Sequence, residues 1–374
     1  MSLSVLHVAQ PVTGGVAAYV LPLLQDQARQ GREVALACPP DGTLPARAKE
    51  AGIAVVPWPA SRNPGPQTLL ETARLARVVS GTNPDVVHLH SSKAGLAGRL
   101  ALRGRRPTIF QPHGWSFEVP TGALRRVVVA WERLAARWAD ALVCVSQGEA
   151  ERGAAAGIDA RWAVIATGID LAAFPPADDD ARVAARRRLG LGSAPLVVCV
   201  GRLSRAKGQD VLLDAWPLVR AAVPEAGLVL VGDGPTRAGL ERRAVAGTTF
   251  AGERPDVSDW LAAADVAVMP SRWEGMSLGL LEAMATSRSV VATDVAGARE
   301  ALGQNSSAIV PVEDRVALAD ALARRLQDPA LARAEGEASR RRAEAAYDFA
   351  WTTKAFTELY EDVVRRRAET GTPT

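Results

Sequence analysis

Short β-branched apolar runs recur along the chain with helical segments between them, and this alternation most constrains the fold. It is typical of a parallel β-sheet with helices on both faces. The runs form two series, one on either side of Gly168. We predict strands at residues 4–9, 33–37, 86–90, 108–111 and 141–145, and again at 196–200, 228–231, 266–269, 290–293 and 308–310. The sequence therefore predicts an α/β fold made of two doubly wound units.

The length of 374 residues also fits two domains, being too long for one ordinary core. We expect an N-terminal domain at 1–170 and a C-terminal domain at 171–350. Residues 169–193 contain Pro175-Pro176 and the acidic run 178–180, which indicates a linker. A solvated loop is the favoured interpretation of the three aspartates, and a metal role is the alternative.

The end of the chain predicts a helix that packs on the rest of the protein. Residues 331–367 are helical in composition, and their apolar face consists of Phe356, Leu359, Tyr360 and Val363. We expect residues 351–374 to form a C-terminal helix that packs back on the N-terminal domain.

The composition excludes several classes of protein. With 48% hydrophobic and 23% charged residues, the chain is neither disordered nor a disulfide scaffold. The net charge of +3 argues against general nucleic-acid binding. No apolar run approaches the roughly 18 residues that cross a bilayer. The three cysteines lie in apolar runs, and the N-terminus lacks a secretory signal. We therefore predict reduced thiols and a cytoplasmic protein.

Two loops at strand ends carry candidate anion-binding residues. Gly14-Gly15 lie between a strand and a helix that starts near Val16, where backbone amides and the helix dipole favour an anionic group. This signal is weak, because a Gly-Gly turn is most often only a turn. In the second unit, Arg202 and Lys207 follow a strand directly, and two cations at that edge suit a diphosphate.

A third loop adds two carboxylates. After the strand ending at Met269, the chain places Glu274 in a turn and Glu282 about two helical turns further on. We predict that Gly275, Met276 and Ser277 form the N-terminus of that helix, with free amides for a phosphate. Carboxylates can accept hydrogen bonds from sugar hydroxyls. Ordinary helix-surface charges are the alternative interpretation of the two glutamates.

Through these loops, the sequence resembles the retaining, nucleotide-sugar-dependent glycosyltransferases of the GT-B fold, the family-4-like enzymes of glycosyl transferases group 1. The resemblance covers nearly the whole chain and includes PSRWEGMSLGLLEAMA, SVVATDVAGARE, VGRLSRAKG and LVLVGDGP. It implies two Rossmann-like domains facing across a cleft. It also implies that Arg202 and Lys207 hold the donor diphosphate, that Glu274 faces the donor sugar and that Glu282 binds the ribose. The backbone of Gly275 to Ser277, with Leu278, would complete the donor site.

The first half resembles a branch of bacterial exopolysaccharide and lipid-linked glycan transferases through HSSKAGLAGR and QPHGW. The resemblance implies that Gly14 and Gly15 lie near the donor phosphates and that His113 lies near the reacting sugar. Acceptor-side candidates are His90, Ser91, Ser92, Lys93 and Trp115. His88 shares a strand face with His90, and without a carboxylate or cysteine at metal spacing we interpret His88 as structural.

The implied activity is retaining transfer of a hexose or N-acetylhexosamine from a nucleotide diphosphate sugar to a hydroxyl acceptor. Arg202, Lys207 and the helix N-terminus would stabilise the leaving group, and Glu274 the sugar ring. No Asp-x-Asp stands at a strand end, so we expect neither a metal requirement nor a cofactor. UDP is the favoured donor nucleotide, and GDP remains open.

The acceptor side leaves several readings open. A basic face with Trp131 and Trp138, carrying Arg125, Arg126, Arg133 and Arg137, fits peripheral contact with anionic lipid and a glycan or lipid-linked acceptor. A solvated helix face is equally compatible, and then a soluble natural-product scaffold such as an aminocyclitol is the alternative acceptor. A sugar-nucleotide epimerase and a non-catalytic sugar-nucleotide-binding subunit are further alternatives.

Overall fold

The computed structural model describes residues 3–303 and 306–370, so the outermost residues of two predicted segments, 1–2 and 371–374, lie outside it. The chain divides into two compact units. One contains the residues up to Ala166 together with those from Thr352 onward, and the other is Thr167–Trp351. Over the described residues, no helix combines the length and apolar character needed to cross a bilayer.

The first unit is built on a sheet of seven parallel strands in the order β3-β2-β1-β4-β5-β6-β7. The strands are β1 Ser4–Ala9, β2 Glu33–Cys38, β3 Ala54–Pro57, β4 Val86–His90, β5 Thr108–Gln111, β6 Ala141–Cys144 and β7 Trp162–Val164. The helices are α1 Gly15–Arg29, α2 Thr43–Glu50, α3 Thr68–Thr82, α4 Ser91–Leu102, α5 Gly122–Ala136 and α6 Gln147–Ala155.

The second unit repeats this plan with six parallel strands in the order β10-β9-β8-β11-β12-β13. Its strands are β8 Leu196–Val200, β9 Gly227–Val231, β10 Thr248–Gly252, β11 Val266–Met269, β12 Ser289–Thr293 and β13 Ile309–Val310. Its helices are α7 Asp179–Arg188, α8 Gln209–Ala222, α9 Arg237–Arg242, α10 Val257–Ala263, α11 Leu278–Ala285, α12 Ala298–Leu302, α13 Arg315–Gln327 and α14 Pro329–Ala346.

The predicted α/β class with two doubly wound units is confirmed, and the ten predicted strands are present within a residue or two. The sequence prediction missed β3, β7 and β10. Each of these lies at an edge of its sheet and contains no fully buried residue, so its apolar signal is weak.

The predicted linker at 169–193 is wrong in its middle, because Asp179–Arg188 forms α7. Asp178 is the N-cap of this helix, and its side chain accepts a hydrogen bond from the amide of Ala181. The acidic run therefore begins a helix, where carboxylates interact favourably with the free amides and the helix dipole. Arg182 and Arg186 then anchor the helix through ion pairs with Asp265.

The last helix, α15 Phe349–Thr370, carries the predicted apolar face. Phe356, Leu359, Tyr360 and Val363 are all buried. Within the first unit, the Tyr360 hydroxyl lies 2.8 Å from Nδ1 of His88 on β4. Arg367 of α15 pairs with Asp140 at 2.7 Å. The helix thus covers the sheet face that carries the side chains of His7 and His88.

Candidate functional site

The order of the strands locates the candidate site of the second unit. β8 and β11 are neighbours in the sheet, although two other strands separate them in sequence. The connections therefore leave β8 and β11 in opposite directions, which opens a crevice at their carboxyl ends where doubly wound folds bind ligands. The loop with Arg202 and Lys207 follows β8, and the loop with Glu274 follows β11. The predicted cations and carboxylate thus meet at one sheet edge.

Lys207 lies between the two predicted carboxylates. Its ammonium group forms an ion pair with Oε1 of Glu274, which also accepts a hydrogen bond from the Ser271 hydroxyl at 3.2 Å. Burial raises the pKa of Glu282 to about 7, and the charge of Lys207 acts in the opposite direction. The charge of Lys207 therefore acts on both carboxylates. With a pKa of about 7, Glu282 is close to half-protonated at neutral pH.

Arg272 holds the two loops together. Its backbone amide donates to the carbonyl of Ala206 at 2.7 Å, and its guanidinium donates to the carbonyl of Arg205 at 2.9 Å. The same guanidinium forms two hydrogen bonds of 2.8 Å to the carboxylate of Asp210 in the first turn of α8. A bidentate arginine fixes both distance and angle, so these contacts set where Lys207 lies relative to Glu274.

Two glycines allow the loop backbones to touch. A Cβ on Gly208 would lie 1.9 Å from the carbonyl oxygen of Pro270, and one on Gly297 would lie 2.2 Å from that of Gly275. Both residues have positive φ, 64° and 77°, which glycine adopts without steric penalty. A side chain on Gly208 would push apart the loops that carry Lys207 and Glu274, and one on Gly297 would push the loop after β12 away from the Glu274 loop.

The N-terminus of α11 is open. The helix begins at Leu278, and its N-cap Ser277 makes no side-chain capping bond. The sequence predicted the N-terminus of this helix at residues 275–277: Ser277 is the N-cap, and Gly275 and Met276 lie in the loop before it. The Ser277 hydroxyl is buried and has no hydrogen-bond partner among the described residues. Uncapped amides and an unpartnered hydroxyl suit an anionic or hydroxyl-bearing ligand.

Arg202 supplies a second cation at this edge. It is partly exposed, and its carbonyl accepts a hydrogen bond from Gln209 at 3.1 Å. Its guanidinium makes no hydrogen bond or ion pair to any residue that the structure describes, whereas most arginines in the second unit are paired. The guanidinium is thus available for a phosphate.

In the first unit, the predicted residues also lie at the carboxyl edge of the sheet. Gly14 and Gly15 are exposed at the start of α1, where Gly14 is the N-cap without a side-chain bond. His113 follows β5 in the left-handed region, with φ of 54°. Burial lowers the pKa of His113 to about 3, so its imidazole is neutral at physiological pH.

Glu149 fixes the loop that carries His113. Its carboxylate accepts hydrogen bonds from the amides of Gly114, at 2.5 Å, and Val145, at 2.8 Å. Its carbonyl accepts from the indole N–H of Trp115 at 2.7 Å. Burial raises the pKa of Glu149 to about 7, and the two amides oppose that shift. A positive φ at a residue other than glycine costs about 1 kcal/mol or more, and these bonds offset it at His113.

The five acceptor-side candidates are mostly internal. His90 is fully buried, and the Ser91 hydroxyl donates to the carbonyl of Gln10. Lys93 is 3% exposed and pairs with Glu71 at 2.5 Å. Trp115 is buried and stacks on Phe117. Lys93 and Trp115 are therefore engaged in the fold, and we assign neither to an acceptor; Ser92 is partly exposed at the start of α4.

The predicted basic face with tryptophans differs in the structure. Trp131 and Trp138 are half-buried and pack against each other, with ring centroids 6.0 Å apart. The apolar groups that α5 exposes are instead Leu124, Val127 and Leu134. The arginines predicted for this face, Arg125, Arg126, Arg133 and Arg137, are exposed.

Several residues around these sites escaped the sequence interpretation. They are Arg272, Glu149, His7 and Gln27; Tyr360 was predicted only as part of the apolar face of the last helix. His7 pairs in register with His88 across β1 and β4, and the nitrogens of His7, His88 and His90 lie within 4.8 Å of one another. The sequence showed that His88 and His90 share a face, but it gave no strand order to place His7 beside them. Three imidazoles at this spacing could hold a metal ion.

Both units match models of glycosyltransferase families. The family model Glycosyltransferase Family 4 matches residues 13–173, and the model Glycosyl transferases group 1 matches residues 194–328. The chain is 33% identical over 260 residues to a lipopolysaccharide core biosynthesis mannosyltransferase of Rhizobium meliloti, covering 66% of this chain and 72% of that protein. It is 32% identical to a D-inositol 3-phosphate glycosyltransferase of Xylanimonas cellulosilytica, over 96% of this chain and 94% of the relative.

A third relative names a donor. It is the GDP-mannose-dependent alpha-(1-6)-phosphatidylinositol monomannoside mannosyltransferase of Mycolicibacterium smegmatis, 36% identical over 66% of this chain and 68% of that protein. Among solved structures, Anabaena Alr3699/HepE in complex with UDP-glucose superposes with a TM-score of 0.83 at 22% identity, over 96% of this chain and all of that one. WaaG, a glycosyltransferase of lipopolysaccharide biosynthesis, superposes with a TM-score of 0.75 at 18% identity, over 94% and 98%. At these identities the two structures show the shared GT-B fold.

Proposed function

The chain belongs to the glycosyltransferases of group 1 and family 4, which transfer a sugar from a nucleotide sugar, and we propose that its donor is GDP-mannose and its acceptor a lipid-linked glycan. The observation that carries the site assignment is the cluster of Arg202, Lys207, Glu274 and Glu282 around the open N-terminus of α11. The choice of donor is supported by the curated relatives whose names specify GDP-mannose.

This donor replaces the UDP favoured by the sequence interpretation. The solved structure with UDP-glucose is 22% identical, and a likeness at that level bears on the fold alone. The relatives with GDP-mannose in their names reach 33–36% identity. The same relatives act on phosphatidylinositol mannosides by name, so a soluble natural-product scaffold is not the favoured acceptor.

The chemistry we propose is transfer with retention of configuration and without a metal ion. The bond between the anomeric carbon and the β-phosphate oxygen breaks, and the acceptor hydroxyl oxygen bonds to that carbon. The hydroxyl proton passes to the departing phosphate, and GDP leaves. Arg202, Lys207 and the amides at the start of α11 stabilise the negative charge that develops on the phosphate. Glu274 stabilises the positive charge on the sugar ring.

Each remaining donor contact follows from the chemistry of the side chain. The ionised carboxylate of Glu282 can accept hydrogen bonds from both ribose hydroxyls. The buried, unpartnered hydroxyl of Ser277 can bond a phosphate or sugar oxygen. The family resemblance also implies roles in donor binding for His113 and the Gly14-Gly15 turn.

Contact with a membrane surface is a further part of this proposal, and α5 supports it. Leu124, Val127 and Leu134 are 61%, 64% and 40% exposed and lie at positions i, i+3 and i+10. That spacing places them along one helix face. Exposed arginines lie on the other side of this helix, and basic residues on the polar side of an amphipathic helix interact with anionic lipid at the interface.

Calorimetric titration with GDP, UDP, ADP and TDP tests the donor. We expect GDP to bind and UDP to bind at least about tenfold more weakly, a difference of about 1.4 kcal/mol. Binding of UDP in preference to GDP would overturn the donor assignment, and binding of none would overturn the diphosphate site. Product analysis by NMR then reports the anomeric configuration, and turnover in the presence of EDTA tests metal independence.

Sedimentation with vesicles tests the membrane contact. We expect binding to vesicles that contain phosphatidylglycerol and little binding to pure phosphatidylcholine. The double variant Arg125→Glu/Arg126→Glu should lose that binding. The matched control, Arg315→Glu/Arg324→Glu on exposed positions of α13, should keep it. Equal loss of vesicle binding in both variants, or no binding of the wild type to anionic vesicles, would contradict a membrane contact through α5.

A further inference from the structure

The four histidines of the sequence lie together in the first unit. His7, His88 and His90 are fully buried, and His113 lies partly buried at the carboxyl end of β5. The rings of His88 and His90 have centroids 3.9 Å apart, and those of His90 and His113 are 5.5 Å apart. The proposed donor chemistry uses only His113, which leaves three buried imidazoles without a role.

Three of these rings form a continuous hydrogen-bonded chain. Nε2 of His7 lies 2.9 Å from Oε1 of Gln27, and Nδ1 of His7 lies 2.9 Å from Nε2 of His90. Nδ1 of His90 then lies 3.2 Å from Nε2 of His113. Both nitrogens of His7 and both nitrogens of His90 are therefore used within the chain.

In a hydrogen-bonded chain of neutral imidazoles, the N–H protons can be arranged in only two ways. Each neutral ring has one N–H and one lone pair, so a ring that donates through one nitrogen must accept through the other. Burial keeps these rings neutral: it lowers the pKa of His7 to about 4 and of His113 to about 3, and it lowers the pKa values of His88 and His90 well below their usual range. The state of one end of the chain therefore fixes the other end.

Gln27 determines in which direction the hydrogen bonds of this chain run. Its amide nitrogen donates to the Tyr360 hydroxyl at 3.3 Å, which leaves its carbonyl oxygen facing His7. A carbonyl oxygen only accepts, so Nε2 of His7 carries the proton and Nδ1 is the acceptor. His90 must then donate from Nε2, and His113 likewise. The Tyr360 hydroxyl, having accepted from Gln27, donates to Nδ1 of His88 at 2.8 Å, which gives His88 the same tautomer.

We propose that Gln27, His7 and His90 are positioning residues that hold His113 in the tautomer with a proton on Nε2 and a bare Nδ1. That Nδ1 has no hydrogen-bond partner among the described residues and accepts a hydrogen bond from a hydroxyl group of the bound substrate. The inference rests on the proposed function only for the identity of that substrate. It implies that a sugar lacking the matching hydroxyl is a poorer substrate.

The contact distances favour this network over a metal ion at His7, His88 and His90. Nδ1 of His7 and Nε2 of His90 face each other at 2.9 Å, the spacing of a single shared N–H. Nδ1 of His88 is occupied by the Tyr360 hydroxyl. The lone pairs of His7 and His90 that would ligate a metal are thus already used within the protein, whereas Nε2 of His88 makes no hydrogen bond to a described residue.

Nitrogen-15 NMR of protein labelled at histidine tests the inference on the wild-type chain at neutral pH, with no substrate present. Because the chain has four histidines, each can be resolved. We expect every ring to be the neutral Nε2–H form, with no change on addition of EDTA. A His113 that carries its proton on Nδ1 or exchanges between both forms would overturn the proposal, and so would a spectrum that EDTA changes.

Two variants then test whether Gln27 is the cause. Gln27→Met removes the acceptor at the end of the chain, and we expect His113 to become a mixture of tautomers. Phe356→Leu changes a buried ring that packs against His88 with centroids 5.1 Å apart but makes no hydrogen bond, so it should leave the tautomers unchanged. An unchanged His113 in Gln27→Met would contradict the assigned direction of control. Because these spectra need no turnover, they test the hydrogen-bonded histidine chain independently of the transferase assignment.

Discussion

Lys207 forms an ion pair with Glu274, so the cation assigned to the donor phosphate and the carboxylate assigned to the donor sugar neutralise each other in the absence of ligand. A bound diphosphate carries two negative charges that compete for the ammonium group. We therefore expect donor binding to draw Lys207 toward the phosphates and to release Glu274 for the sugar. In the free protein, the ion pair thus balances the negative charge of Glu274 in a site that must also bind an anion.

Replacing Lys207 should weaken nucleotide binding. Lys207→Ala removes one cation and leaves Glu274 and Glu282 to repel the phosphates, so we expect the dissociation constant for GDP to rise about 30-fold, or about 2 kcal/mol. Calorimetric titration measures this change. Arg205→Ala is the matched control, because Arg205 lies in the same short turn with an exposed side chain. Comparable losses in both variants would mean that the general charge of the loop matters, and not the position of Lys207.

Arg272 should act on the donor through the loops it joins. Arg272→Lys keeps the charge but loses the bidentate bond to Asp210, so we expect the KM for GDP-mannose to rise about tenfold. Arg254→Lys makes the same chemical change at an exposed pair with Asp256, outside the site, and should leave KM unchanged. Equal kinetics of the two variants would remove Arg272 from the site.

Binding of the donor should depend on pH through Glu282. Its pKa of about 7 in the free protein means that the carboxylate ionises as the pH rises from 6 to 8. Since we propose that the ionised form accepts hydrogen bonds from both ribose hydroxyls, the affinity for GDP-mannose should rise up to about tenfold over this interval. GDP-mannose is the suitable ligand because its phosphates do not titrate there. Glu282→Gln should bind more weakly with a flat pH profile; an unchanged profile in that variant would contradict the assignment.

Lys93 should matter for stability. Burial opposes ionisation of Glu71, but hydrogen bonds from Lys93 and Ser61 overcome this effect and lower its pKa. Lys93→Met leaves a buried carboxylate without its partner, so we expect the free energy of unfolding to fall by about 3–5 kcal/mol. The double variant Lys93→Met/Glu71→Leu should recover most of that loss. Chemical denaturation measures both, and a single variant as stable as the wild type would return Lys93 to the acceptor candidates.

His7 should make the protein less stable in acid. Its pKa falls from 6.5 to about 4 on folding because of burial. The unfolded chain therefore binds a proton below pH 6.5 that the folded protein takes up only near pH 4, and stability drops as the pH falls through this interval. The contribution of His7 is about 3 kcal/mol. Glu149 and Glu282 give a slope of opposite sign, since burial raises their pKa values to about 7. The difference between wild type and His7→Gln isolates the histidine, and parallel pH curves would refute this contribution.

The sequence predicted the strands well, because a buried parallel strand is an uninterrupted apolar run. It also predicted that Arg202, Lys207 and Glu274 follow strands of one unit. It could not predict that β8 and β11 are neighbours, since strand order depends on how helices pack across the sheet. The ion pair between Lys207 and Glu274 follows from that order, and no spacing along the chain encodes it.

The errors of prediction share a physical cause. Lys93 and Trp115 have polar groups that suggest a binding role, but Glu71 and the carbonyl of Glu149 satisfy those groups inside the fold. Asp178 begins a helix because its carboxylate caps free amides, a signal weaker in sequence than the prolines beside it. Partners distant in sequence decided the first two cases, and an amide only three residues away decided the third.

The proposed transferase site is tested most directly by comparing wild type with Glu274→Gln. Two quantities are measured: the affinity for GDP, and the rate of GDP release from GDP-mannose in the presence of acceptor. Glutamine keeps the size of the side chain and removes its charge. Because we propose that Glu274 faces the sugar and not the base, we expect a loss of turnover of about a thousandfold, with the affinity for GDP kept within about threefold. Equal losses of binding and turnover, or turnover close to that of the wild type, would contradict it.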